Sequence, residues 1–284
     1  MIFQRLIWSA LLTAVVVGSV QTGVQYWQAT PLILAAEVFE DQKAQSLAPA
    51  VDAPAHAHAE GAVGGHEHAH EEPAPAHEHG AESWQPANGA ERTGWTWVAN
   101  MLHAFSMALL VFAVMGVWLY RRGAAVGSLR LADVVAAAGW LSFHLWPSLG
   151  LPAQVPGMEA APLEARQLWW VLSVGCAVSA CAVAGFARAP LRWLVAAALL
   201  ALPFVVGAPH LQGDALAGFG PEAHAALEQL GAQFFWATTW VALSFWACMA
   251  LVGGLAFRRW LRPAIVEMLE HAGASPLVPV KAAP

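Results

Sequence analysis

Charge is scarce in this chain. Of its 284 residues only 11% are Asp, Glu, Lys or Arg, against about 25% in a soluble domain. Lysine is nearly absent, with Lys43 and Lys281 alone. No Gly-Lys-Ser/Thr exists, which excludes nucleotide hydrolysis through a P-loop. No extended basic stretch exists either, and this argues against nucleic-acid binding. The three cysteines, Cys176, Cys181 and Cys248, lie inside apolar runs and form no CxxC, so neither a disulfide framework nor a redox pair is indicated. What remains is 58% hydrophobic, with a mean hydropathy of +0.52. That combination places the chain in the membrane class.

A crossing needs roughly 20 apolar residues, and the apolar runs predict an all-α, polytopic bundle of about six spans. They fall near residues 6–29, 95–119, 131–151, 167–187, 191–208 and 231–256. The first run also reads as a cleaved signal peptide, which would leave five spans. Apolar character that resumes beyond Gln21 and Gln25 favours an uncleaved span, with Thr30-Pro31 restarting the helix; Gln21, Gln25 and Gln28 fall at i, i+4 and i+7 and make one face of its outer end polar. Thr93 is the expected cap of the second span. The organisation expected is a first span with a restarted outer helix (1–40), a loop (41–92), five spans (93–262) and a tail (263–284).

The positive-inside rule orients this bundle. Ten basic residues fall on one side: Arg5, Arg121, Arg122, Arg130, Arg188, Arg192, Arg258, Arg259, Arg262 and Lys281. Only Lys43, Arg92 and Arg166 fall on the other. Both termini are therefore expected in the cytoplasm of a bacterial inner membrane, with residues 41–92 outside.

That external loop carries the strongest chemical signal. Seven of the chain's twelve histidines lie in it: His56, His58, His66, His68, His70, His77 and His79. They alternate as His-x-His among Glu60, Glu67, Glu71, Glu72 and Glu78. Imidazole suits the later first-row transition metals, and His-rich tracts read as metal-binding. From Ala48 to Glu82 there is no Leu, Ile, Phe, Trp or Met, so the loop has no core of its own. A solvated spacer is the alternative. The expected role is capture of ions at a pore mouth.

Histidines in the spans share one depth. His103 and His144 lie seven or eight residues from the outer ends of their spans, roughly 10–12 Å down. Asn100, His103 and Met107 fall on one helical face. Polar residues at depth face the bundle interior or a water path, although each histidine alone is equally well read as a bond between helices. His210 belongs to the outer end of the fifth span. With Glu37 and Glu40 it is expected to receive the ion before His103 and His144. Met107, Met115, Met249 and the cysteines read as packing. The fifteen tryptophans mostly mark span ends.

The segment Thr30-Pro31-Leu32-Ile33-Leu34-Ala35-Ala36-Glu37-Val38-Phe39-Glu40 resembles the CbtA family. The likeness continues through the His/Glu-rich loop and the Trp84–Arg92 exit. It extends to Pro156-Gly157-Met158, Arg166-Gln167-Leu168-Trp169-Trp170 and Gly207-Ala208-Pro209-His210. It implies a bacterial inner-membrane protein of cobalt uptake for cobalamin biosynthesis. It also implies a partner, a small single-span subunit (CbtB) with its own His-rich tract. The expected activity is thus transport of a divalent transition metal, cobalt first, with nickel or zinc as alternatives, and no enzymatic reaction. Two rival readings stand beside it: a metal-binding chaperone or sensor that moves no ion, and a haem electron carrier with His103 and His144 as axial ligands.

Overall fold

The computed structural model describes residues 2–47, 86–123 and 125–271. The histidines from His56 to His79 lie outside the described residues, so the loop that carries them is known here only by sequence. All regular structure among the described residues is helical, as the polar backbone groups of a chain in lipid require when no barrel closes.

Helix α1 spans Ile2–Gln28 and α2 spans Thr30–Leu47. Only Ala29 separates them, and the Thr30 hydroxyl donates to the Gln25 carbonyl at 3.2 Å. Helix α3 covers Ala90–Arg122. Its start corrects the expected Thr93 cap. The helix begins after Gly89, whose φ of 102° favours glycine, and Thr93 lies inside it, donating to the Gly89 carbonyl. Helix α4 runs from Ser128–Trp140 through a π-helical turn, Leu141–Leu145, into Trp146–Ser148. Helix α5 is Leu163–Phe186 and α6 is Arg192–Val206. Helix α7 is one rod, Pro221–His271, with π-helical turns at Met249–Gly253 and Phe257–Leu261.

Four of these, α1, α3, α5 and α7, are long and apolar enough to cross a membrane. The other two expected spans are less regular. The α4 segment reaches about 30 Å at 1.5 Å per residue, but its helical ladder is broken by the π turn. In place of the expected 191–208 span, α6 has 15 residues, about 22 Å, short of a ~30 Å hydrocarbon core. Gly207, at φ 88°, ends it. It pairs with α5, and the Trp169 indole donates to the Pro203 carbonyl at 3.0 Å.

Small residues hold the bundle together. On α1, Ala10, Ala14, Gly18 and Thr22 recur every fourth position, and all are buried. They face Asn100, Ala104 and Ala108 of α3, which keep the same step. At Gly18 the backbones are so close that a Cβ would sit 3.0 Å from the Met101 Cα. Lipid offers no hydrophobic drive between helices, so close van der Waals approach of this kind must supply the association. Ala132 of α4 repeats the pattern against Gly254 of α7, where a Cβ would meet it at 2.9 Å. Below, Phe112, Met115, Met249 and Phe257 are buried and fill the core.

The arginine-rich ends gather at one pole. The Arg122 guanidinium donates to the Gly185 carbonyl at 2.8 Å, and Arg192 donates to the Ala187 carbonyl at 2.8 Å. At the opposite pole α2 packs across the outer end of α7. Ala36 and Phe39 join Val155, Leu216 and Leu227 in a second small core. Lys43 ties this cap down, donating to the Ala217 carbonyl at 2.7 Å and lying 3.7 Å from Glu159.

Candidate functional site

Two cavities lie toward the pole capped by α2. The deeper one, about 640 Å³, is bounded by α1, α3, α4 and α7. Gln21 and Gln25 reach it from α1, His103 and Met107 from α3, His144 from α4 and Thr238 from α7. The helical steps explain this lining. Gln21 and Gln25 are i, i+4, and His103 and Met107 are i, i+4, so each pair presents one face. His144 sits inside the π turn. Such a turn inserts one residue into the α-helical ladder and re-aims the side chains beyond it, which is why π turns often occur at functional sites.

Hydrogen bonds fix this wall. The Asn100 amide donates to the Thr22 hydroxyl at 3.0 Å and to the Gln25 Oε1 at 2.6 Å. The His144 Nε2 lies 3.4 Å from the Thr239 hydroxyl. The His103 ring tilts against Phe245, 5.1 Å between centroids. The Gln21 Oε1 is buried with no hydrogen-bond partner, and Gln21 is part of the cavity lining. Arg92 is also part of the lining. Glu37 grips it in a two-pronged pair, 2.7 and 3.2 Å. The cation in the wall is thereby balanced by a carboxylate from α2.

The second cavity, about 800 Å³, lies between the 150–161 segment, the start of α5 and the chain after α6. His210, Glu159 and Arg166 are in its lining. Trp170 lines both cavities.

The expected site residues therefore divide. His103 and His144, from separate helices, meet in one cavity. His210 lines the other. Glu37 is engaged by Arg92, and Glu40 is exposed near Gly157, so the expected grouping of His210 with these two carboxylates is not formed. Among the described residues no three of His, Cys, Asp and Glu stand close enough to hold a metal ion. Sequence reasoning passed over Thr96, Thr238 and Arg92 as parts of the wall. The polar face of Gln21 and Gln25 on an apolar helix was the legible signal. The Arg92–Glu37 pair, 55 residues apart, had none.

Imidazole, amide oxygen, hydroxyl and thioether together form a donor set for borderline divalent metals.

Long apolar helices, with histidine and glutamine side chains in a cavity between them, define a multi-pass membrane protein. A family model described as "Probable cobalt transporter subunit (CbtA)" matches residues 3–258, and the chain belongs to the CbtA family. This is a family of transporters, not of enzymes. No curated protein and no solved structure matches the chain.

Proposed function

We propose that the chain carries a divalent transition metal, cobalt by family, inward across a bacterial inner membrane, and that His103 and His144 form the intramembrane station of the route. The observation that carries this reading is the shared cavity. Two imidazoles from α3 and α4 line one cavity together with Gln21, Gln25 and Thr238. A polar residue in a span is costly unless it faces such a space.

The arrangement gives a sequence of events. The external His-rich loop raises the ion's local concentration. The ion passes the His210 cavity and the Trp170 wall, exchanges water for imidazole and amide ligands in the deeper cavity, and is released inward when the apolar core rearranges. The six-crossing arrangement with both termini cytoplasmic belongs to this proposal, with α4 and α6 as the irregular crossings. So does a small His-rich single-span partner that would supply ions to the loop. Neutral imidazole is the binding form, so delivery weakens as the medium is acidified.

Flux of labelled cobalt into sealed vesicles containing the purified chain is the direct test. Uptake above that of empty vesicles, lost in the His103→Ala/His144→Ala double variant, is expected. Tight cobalt binding without flux, with and without the partner, would make the chain a chaperone or sensor instead. A haem Soret band in the purified protein would move the two histidines to axial ligation.

A further inference from the structure

At the arginine-rich pole, α1 and α7 leave a crevice that the proposed route does not use. Two adjoining clefts of about 320 and 610 Å³ share Leu12 and Trp260 in their linings. Arg5 and Trp8 line the first, and Arg258, Arg259, Leu255 and Val252 line the second.

The order of side chains with depth is the informative feature. On α1, Arg5, Trp8 and Leu12 follow at i, i+3 and i+7, along one face. On α7, which runs the opposite way, Arg259, Leu255 and Val252 step through the same interval. Each series passes from guanidinium to aliphatic side chain over about 10 Å of helix; the exposed indole of Trp8 lies between on α1, and that of Trp260 follows Arg259 at the rim of α7. The π turn Phe257–Leu261 contributes here. It carries Arg258, Arg259 and Trp260, and its wider winding reduces the angle between successive side chains below the α-helical step. Among the described residues no carboxylate pairs with Arg5, Arg258 or Arg259. All three are exposed.

Charge at the rim, indoles beside it and an aliphatic floor beneath match the cross-section of one amphiphile. We propose that this crevice binds an anionic phospholipid. Its phosphate is held by Arg5, Arg258 and Arg259, and an acyl chain lies along Leu12, Leu255 and Val252. Guanidinium is suited to phosphate through paired N–H donors, and basic pockets between helices on the cytoplasmic side are where lipid headgroups are recognised. A soluble anion would satisfy the arginines but leave the aliphatic floor unused. The site bridges the first and last long helices of the bundle, so a bound lipid would clamp α1 to α7 without touching the metal route.

The test is thermal unfolding of the full chain in neutral detergent with dioleoylphosphatidylglycerol, dioleoylphosphatidylcholine or inorganic phosphate added at equal concentration. Phosphatidylglycerol is expected to raise the unfolding temperature clearly more than either of the others. In an Arg5→Gln/Arg258→Gln/Arg259→Gln variant this advantage should vanish, with affinity falling about fivefold per arginine removed. An Arg121→Gln/Arg188→Gln control should keep it. Equal stabilisation by phosphatidylcholine would overturn the site, and equal stabilisation by inorganic phosphate would make it an anion site with no lipid. If the triple variant does not accumulate, native mass spectrometry of the unaltered chain decides. Phosphatidylglycerol adducts must survive collisional activation that strips phosphatidylcholine, and simultaneous loss of both would refute the proposal.

Discussion

The two halves of this bundle solve opposite problems with the same helices. In the half toward the α2 cap, α1 and α3 present Gln21, Gln25, Asn100 and His103, and a cavity of about 640 Å³ stays open between them. In the arginine-rich half the same two helices bury Ala10, Ala14, Ala108 and Phe112, and the buried polar side chains of α1 there are the small Ser9 and Thr13. The boundary lies near Phe245 and Trp246, which line the cavity and also belong to the core. One helix pair is thus a ligand wall at one end and a seal at the other. The difference comes from which residue occupies each fourth position. A small apolar residue lets backbones touch, whereas an amide or imidazole must find a partner or a space.

The largest effect should come from testing whether the halves face opposite compartments. With Cys176, Cys181 and Cys248 replaced by alanine, a Gly64→Cys variant should react with an impermeant thiol reagent in whole cells. An Ala125→Cys variant should react only after the membrane is opened. The reverse pattern would place the cavity half inside and end the proposed direction of transport.

Next in size is the histidine pair. His103→Ala and His144→Ala should each lower cobalt uptake at least roughly tenfold, about 1.4 kcal/mol in the limiting step. If both serve one station, the double variant should be little worse than either single one. A lost interhelical hydrogen bond averages only about 0.6 kcal/mol, so membrane abundance should stay near normal. Near-normal uptake in both single variants would reduce the cavity to a packing defect.

The seal should respond to volume. A Cβ at Gly139 would fall 2.2 Å from the Trp246 ring, whereas one at Gly23 would meet nothing within 4 Å. Gly139→Val should therefore destabilise the chain by about 1–3 kcal/mol, read as a lower unfolding temperature in detergent. Gly23→Ala should not lower it, and helix propensity favours a stabilisation of up to about 1 kcal/mol. Equal behaviour of the two would mean that the inner packing is looser than these contacts require.

The smallest effect concerns the tie between α2 and α3. Glu37 and Arg92 are each about a third exposed (30% for both), and screening limits such a pair to roughly 1 kcal/mol or less. Glu37→Gln and Arg92→Gln should each shift the unfolding midpoint slightly, with a coupling of that size in a double-mutant cycle. A coupling several times larger would mark the pair as a structural clamp on the cavity mouth.

Much of this could be read from the chain alone. Scarce charge and long apolar runs fixed a helical membrane protein, because lipid leaves the backbone few other ways to satisfy its hydrogen bonds. The polar face of Gln21 and Gln25, and the common depth of His103 and His144, were visible because helical geometry converts spacing directly into position. The family likeness was legible from dispersed short motifs, and the family model that matches the chain agrees with it. Tertiary structure decided the rest. Spacing along one helix cannot say which neighbour it meets, so the meeting of the two histidines in one cavity, and the separation of His210 from Glu37, depend on packing. The π turn that carries His144 leaves no mark in composition. Nor does the capture of Glu37 by Arg92, since a pair 55 residues apart is brought together only when α2 folds back over the bundle.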